Sequence, residues 1–97
     1  MTLEQGSQFT NIAGAATTVV RARSCVLRRV TINKAVATGV VTIYDNASAA
    51  SGTKLATITQ PAAVVQSQQL LEYNARMTNG ITVVTGAADD ITVVWDD

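Results

Sequence analysis

Few side chains in this sequence could carry out catalysis. The chain has 97 residues, with seven acidic residues, one cysteine and no histidine. Without histidine it can form neither a Ser-His-Asp triad nor a Cys-His pair, and it has no histidine that could bind a metal. Cys25 has no base to activate it and no second cysteine with which to pair, so we expect it to be a small buried residue. The sequence therefore predicts a protein that is not an enzyme and uses no cofactor.

Three short segments contain neighbouring oxygen-bearing side chains and are the candidates for a metal site. They are Asp45-Asn46, Asp89-Asp90 and Asp96-Asp97. A calcium ion takes about six to eight oxygen ligands, and none of these segments has the spacing of a calcium loop. The six glycines are isolated, so the sequence contains no phosphate-binding loop. We interpret these acids as turn residues and predict no metal site.

The charges balance overall but are clustered along the chain. Basic and acidic residues both number seven, which gives a formal net charge of zero. Five of the basic residues lie within residues 21–34, and four of the acidic residues lie within residues 89–97. Either the two groups neutralise each other within the fold, or they form patches of opposite sign that meet between subunits. We predict no binding of nucleic acid, because neutralising phosphates needs an excess of positive charge and the four aromatic residues do not alternate with the arginines.

The surface is expected to be poor in charge. Charged residues make up 14% of the chain, against about 25% in an average soluble domain. The chain contains 14 threonines and 15 alanines, so neutral side chains must supply much of the exterior. We expect copies of the same chain, or another protein, to cover part of this surface.

Neither a membrane segment nor a signal peptide is expected. No stretch approaches the length of about 18 apolar residues that a membrane span needs. Residues 1–10 lack the basic start and the apolar stretch of a signal peptide. We therefore predict no membrane contact and synthesis in a cytoplasm.

β-branched residues dominate the sequence and favour strands. Threonine, valine and isoleucine account for 33 of the 97 residues. With the turn residues between them, they predict eight short strands, at 8–12, 16–23, 25–34, 39–45, 54–59, 64–74, 80–85 and 90–96. We predict a single all-β domain over residues 1–97, an antiparallel β-sandwich of the jelly-roll type, with residues 1–7 as a candidate flexible arm. A short helix within residues 62–73 is the alternative for the beginning of the sixth strand.

The C-terminal region repeats one short motif. Ile81-Thr82-Val83-Val84 recurs as Ile91-Thr92-Val93-Val94, and the short loop between the two copies predicts a β-hairpin. Because side chains alternate along a strand, Val84 and Val94 point away from the other apolar residues of their strands. They are either ordinary surface valines or contacts between subunits, and we predict contacts.

Trp95 and Arg28 each have two interpretations. Trp95 is either a core anchor, which we favour, or an exposed contact for a partner or a sugar ring. Strict alternation puts Arg28 on the same face as Val30 and Ile32, so either a bulge redirects Arg28 or it meets a carboxylate across an interface. The candidate assembly contacts are Arg21, Arg23, Arg28, Arg29, Val84, Val94 and Trp95.

A longer pattern extends over much of the chain. It reads VTIYDNASAASGTKLATI at residues 41–58, ARMTNGITVV at residues 75–84 and DITVV at residues 90–94. This order resembles small virion structural proteins of tailed bacteriophages. The resemblance implies a β-sandwich that self-associates, often as a trimer, and that binds the major capsid protein or another virion protein as a capsid decoration or cement protein. It also implies a place in the virion after synthesis in the cytoplasm of the bacterial host. The alternative is a neck, tail or fibre module for attachment or for recognition of carbohydrate or the host, with Tyr44, Tyr73 or Trp95 offering an apolar face to a sugar ring.

Overall fold

The computed structural model of this chain describes residues 7–97. It contains the strands β1 (Gln8–Ala13), β2 (Ala16–Arg21), β3 (Cys25–Lys34), β4 (Val40–Asp45), β5 (Thr53–Thr59), β6 (Gln69–Met77), β7 (Ile81–Thr85) and β8 (Asp90–Asp96). Sheet 1 has the strand order β1-β8-β3-β6, and sheet 2 has the order β2-β7-β4-β5. The two four-stranded antiparallel sheets pack as a sandwich, which confirms the predicted fold class. Of the candidate arm, residues 1–6 lie outside the described residues.

The strand partners follow a simple order. β4 and β5 are consecutive and pair with each other, β3 pairs with β6, β2 with β7, and β1 with β8. Two further pairings, of β3 with β8 and of β4 with β7, join these pairs into the two sheets. The chain is thus one long hairpin folded over on itself. Its lateral edges are β1 and β2 on one side and β5 and β6 on the other.

The core lies between the sheets and takes alternate residues from the strands. Ile81 and Val83 point inward from β7, and Ile91 and Val93 point inward from β8, all without exposed surface. This is the alternation that the sequence predicts. The buried hydrophobic cluster consists of Ile12, Cys25, Leu27, Val30, Ile32, Val41, Ile43, Met77, Ile81, Val83, Ile91, Val93 and Trp95.

The predicted hairpin of β7 and β8 is wrong. β7 lies in sheet 2 between β2 and β4, and β8 lies in sheet 1 between β1 and β3. The loop that joins them crosses from one sheet to the other, and Gly86 N–H donates to the Val40 carbonyl oxygen at 2.8 Å. Both copies of the motif direct isoleucine and valine into the core between the sheets. Similar sequence therefore gave similar burial, but not pairing.

The sixth strand begins at Gln69 instead of residue 64, and the alternative helix does not form. Residues 61–68 are a loop whose two ends are joined by the side-chain amides of Gln60 and Gln69. Gln69 Nε2 donates to Gln60 Oε1 at 2.8 Å, and Gln60 Nε2 donates to Gln69 Oε1 at 3.1 Å. This closed pair of hydrogen bonds holds the loop where the sequence pattern predicts a strand. From Leu71 onward the predicted alternation of inward and outward residues is confirmed.

Candidate assembly surface

The clustered charges neutralise each other within the chain. Arg21 Nη2 lies 2.6 Å from Asp97 Oδ2, and Arg23 Nη2 lies 3.6 Å from the same oxygen. Arg28 Nε donates to Asp96 Oδ2 at 2.5 Å. These contacts confirm the interpretation that the basic and the C-terminal acidic residues lie close together. All five side chains are partly exposed to solvent, so the ion pairs contribute little to stability.

A β-bulge sets the position of Arg28. The register of β3 against both of its neighbours shifts between Leu27 and Arg29. Leu27 and Val30 are both fully buried, although strict alternation would put residues three positions apart on opposite faces. Of the two interpretations of Arg28, the structure therefore shows the bulge. The carboxylate that Arg28 meets is Asp96 of the same chain, so this arginine needs no partner subunit for neutralisation.

Hydrogen bonds favour the ionised form of two carboxylates beside the outer face of sheet 1. The Arg28 guanidinium lowers the pKa of Asp96 below its ordinary value, mainly by donating a hydrogen bond. The amides of Asn11 and Asn33 lower the pKa of Asp90 in the same way, at 2.7 and 3.0 Å from Asp90 Oδ1. A lowered pKa in the folded state makes stability depend on pH.

We expect the free energy of unfolding to fall as the pH drops below about 4. Hydrogen bonds lower the pKa values of Asp90 and Asp96 in the folded protein, so at acidic pH the unfolded chain binds more protons at these groups. Their contribution to stability is complete above the unfolded-state pKa and is lost as the pH falls through the folded-state values. Urea unfolding at a series of acidic pH values measures this slope. Asp96→Asn should make the slope shallower, and an unchanged slope would contradict the assignment.

The other candidate metal ligands accept hydrogen bonds from the chain itself. Asp45 accepts from three consecutive backbone N–H groups, those of residues 78–80, at 2.7 to 3.3 Å. Asn46 Oδ1 accepts from backbone N–H groups two and three residues ahead, which forms an Asx turn. Asp89 Oδ1 accepts from the N–H of Val36 at 2.8 Å. The interpretation as a turn residue is confirmed for Asn46 alone. It is wrong for Asp45 and Asp89, which accept from backbone groups more than 30 positions away and so join separate segments of the chain. Within residues 7–97, no group of three or more His, Cys, Asp or Glu side chains could hold a metal ion.

Cys25 and Trp95 both belong to the core. Cys25 has no exposed surface, and burial raises the pKa of its thiol. The thiol is therefore protonated at neutral pH, and the expectation of a small buried residue is confirmed. Trp95 is 8% exposed, which confirms its interpretation as a core anchor. It has little surface to offer a partner, although it is among the candidate assembly contacts.

Val84 and Val94 lie on the outer faces of sheet 2 and sheet 1, where each is half-buried. Val94 is opposite Phe9 on β1 and Arg29 on β3. Arg29 in turn donates through Nε to Glu72 on β6 at 3.1 Å. Val84 is opposite threonines on both neighbouring strands. Each valine is thus in the middle of an outer face whose nearest side chains are neutral or paired within the chain.

The two lateral edges of the sandwich contain long stretches without charge. Residues 7–20, which form β1 and most of β2, include no lysine, arginine, aspartate or glutamate. The same is true of residues 55–71, which include most of β5, the long loop and the start of β6. The large hydrophobic residues exposed in these stretches are Phe9 (69%), Val19 (43%), Val65 (97%) and Leu70 (61%). Both edges are therefore apolar in part and accessible.

Sequence reasoning missed these four exposed residues as candidate contacts. For Phe9 a signal was present, because it lies three positions from Ile12 and strict alternation puts the two on opposite faces. Ile12 is buried and Phe9 is exposed. For Val65 no alternation was available, since it lies in the loop that the sequence pattern predicts as a strand.

Comparison with known proteins adds no family assignment. No protein-family model, curated protein or solved structure matches the chain. Among the described residues there is no helix long and apolar enough to cross a membrane.

Proposed function

We propose that this chain is a non-enzymatic structural protein of a tailed-phage virion, a capsid decoration or cement protein that self-associates and stabilises the shell. The observation that carries the proposal is the long uncharged stretch at each lateral edge, residues 7–20 and 55–71, with its exposed hydrophobic residues. Open strand edges with apolar side chains are a liability in a monomer and are suited to contact with another protein. The resemblance of residues 41–58, 75–84 and 90–94 to small phage virion proteins supports the virion setting.

A decoration protein acts by binding and needs no reactive group. Each copy contacts its neighbours and the capsid protein weakly, and the symmetric array of copies multiplies these contacts into strong attachment. Three arginines form ion pairs with the side chains of Asp96 and Asp97 in the same chain, namely Arg21, Arg23 and Arg28. Binding would accordingly depend on shape and apolar area, so we expect it to change little with salt concentration.

The strand order supports the finer prediction of a jelly roll. Jelly rolls have eight strands in two sheets and are found in viral capsid and lectin domains. Winding one long hairpin into a sandwich pairs the first strand with the last, β2 with β7 and β3 with β6, as in this chain. This connectivity is compatible with a virion protein and also with the carbohydrate-binding alternative.

Adding the purified protein to phage capsids that lack it tests the proposal. Electron cryomicroscopy should show regular density at the junctions between capsomers, and light scattering should show a homo-oligomer in solution. A strict monomer at high concentration that binds no capsid would contradict the decoration role. Density at a single vertex would favour a position in the neck or tail instead.

A neck, tail or fibre module that recognises carbohydrate is the second candidate. Sugar rings stack on exposed aromatic faces. Trp95 belongs to the core, and Tyr73 packs against the core cluster. The Tyr44 ring has Lys54 Nζ over its face, 5.9 Å from the ring centre. Phe9, which is 69% exposed, is the aromatic side chain best placed to stack on a sugar. The placement of the other rings favours the decoration role over this alternative.

A further inference from the structure

Three of the four lateral edge strands are interrupted by a β-bulge. The registers of β2 and β5 leave out Val20 and Leu55, respectively. The register of β6 shifts around Asn74, which has a φ of 50°. Bulges twist an edge away from an incoming strand, and charged side chains such as Glu72 and Arg76 on β6 add to this protection. These three edges are therefore poor templates for pairing with another regular strand.

β1 lacks every one of these protections. Its six residues keep a continuous register with β8, from Gln8 opposite Trp95 to Ala13 opposite Asp90. They include no glycine, proline or charged residue, and Phe9 among them is 69% exposed. In an antiparallel pair, alternate residues direct their backbone N–H and C=O groups away from the partner strand. β1 thus presents a regular row of backbone donors and acceptors, and within residues 7–97 only β8 pairs with it.

We propose that β1 pairs with β1 of a second copy, antiparallel across a two-fold axis, so that two copies of sheet 1 form one eight-stranded sheet. The outward backbone groups are a ready template for pairing with another strand. A second copy offers four edge strands, and of these β1 has a register without a bulge. A regular strand pairs best with another regular strand, so the best partner for β1 is β1 of the second copy. Two uncharged strands of a chain with zero net charge also meet without charge repulsion. The inference rests on the proposed self-association and specifies the surface that performs it.

The alternation of side chains restricts the register of this pairing. Residues that are directly opposite each other in a sheet have their side chains on the same face. An axis between two residues would oppose neighbours such as 11 and 12, whose side chains lie on different faces, so the two-fold axis must pass through a residue. An axis through Asn11 puts the inward-facing Thr10 opposite Ile12, which is a favourable β-branched pair. It also puts Phe9 opposite Ala13, a small residue that leaves room for the ring. An axis through Thr10 would instead put Gln8 opposite Ile12. We therefore place the axis at Asn11.

Disulfide trapping at Asn11 tests the pairing and its register together. In the proposed dimer the two copies of residue 11 are directly opposed, at a Cα separation of about 4.5–5.5 Å that a disulfide can bridge. Asn11→Cys should give a covalent dimer after mild oxidation with oxidised glutathione. Thr57→Cys, at an exposed position on the bulged edge strand β5, is the matched control and should stay monomeric on a non-reducing gel. The native Cys25 is fully buried and should not react.

A charge at the same position gives the complementary measurement. Asn11→Lys puts an ammonium group of each copy at the two-fold axis, where Asp90 of the same chain lies beside it and offsets part of the repulsion. Dimerisation should therefore weaken several-fold in sedimentation equilibrium. Thr57→Lys should leave dimerisation unchanged. Circular dichroism and urea unfolding of both variants show whether the fold is retained.

The possible results separate this inference from the proposed function. A wild-type dimer that Asn11→Cys traps and Asn11→Lys dissociates supports β1 pairing. A trimer, or a dimer that Asn11→Lys leaves intact, would overturn β1 pairing while self-association stands. A monomer that nevertheless binds capsids would also overturn it without affecting the decoration role. A monomer that binds no capsid would overturn both.

Discussion

Gly80→Ala is expected to lower the free energy of unfolding by about 3 kcal/mol or more. Gly80 has a φ of 152°, a conformation that residues with a side chain rarely adopt. A Cβ atom at this position would collide with the backbone carbonyl oxygen of Arg21 and would lie 3.1 Å from that of Asn46. Both obstacles are backbone atoms. Relief of the clash therefore requires the backbone to move at the end of β2 or in the loop after β4. Urea unfolding followed by circular dichroism measures the loss.

Gly14→Ala is the matched control for this effect. Gly14 also has a positive φ, of 98°, but a Cβ atom there would meet nothing within 4 Å. Its replacement should therefore cost only the backbone penalty, about 1–2 kcal/mol. The difference between the two variants isolates the steric clash at Gly80. If Gly80→Ala lost no more stability than Gly14→Ala, the close approach of the Arg21 carbonyl would not matter.

Trp95→Ala is expected to lower the free energy of unfolding by about 3–5 kcal/mol. The Trp95 side chain is 8% exposed and belongs to the core cluster. It projects from β8, where Trp95 is opposite Leu27 on β3 and Gln8 on β1. Truncation to alanine removes the apolar contacts of the indole and leaves a cavity that the two sheets cannot fill completely.

Trp95→Phe should lose less than half as much stability as Trp95→Ala. Phenylalanine keeps most of the apolar volume, and it lacks the indole N–H. In the native protein Trp95 Nε1 is buried and has no hydrogen-bond partner among the described residues, so its removal also removes a desolvated donor. Thermal and urea unfolding of the two variants measure the ratio. Wild-type stability in Trp95→Ala would contradict the core position and would favour a contact with a partner.

Local sequence patterns predicted the strands well where side chains alternate. β3 and β8 lie at the predicted residues 25–34 and 90–96, because β-branched residues dominate both and an apolar residue recurs on the buried face. β6 differs because its start depends on the amide pair of Gln60 and Gln69, a contact between residues nine positions apart. The strand and helix propensities of residues 61–68 therefore could not predict where β6 begins.

For the candidate contact residues, too, local alternation predicted some positions and long-range contacts decided the others. Val84 and Val94 lie on outer faces because alternation puts them there. The position of the Arg28 side chain depends on the bulge in β3, which keeps both Leu27 and Val30 facing the core. Strict alternation indicated that Arg28 would share a face with buried residues, but it did not decide whether a bulge or a partner carboxylate resolves this. The ion pairs of the arginines with Asp96 and Asp97 needed the proximity of distant segments, which only the fold supplies.

The sequence by itself determined the strand content, the inward and outward faces of most strands and the sparse surface charge. Each of these depends on a residue's own chemistry and on its near neighbours. The tertiary structure decided which strands pair, that the repeated motifs of β7 and β8 lie in different sheets, and that β1 is an edge strand with a continuous register. Backbone hydrogen-bonding groups are the same in every strand, so the choice of partner depends on packing of the whole core and not on local sequence.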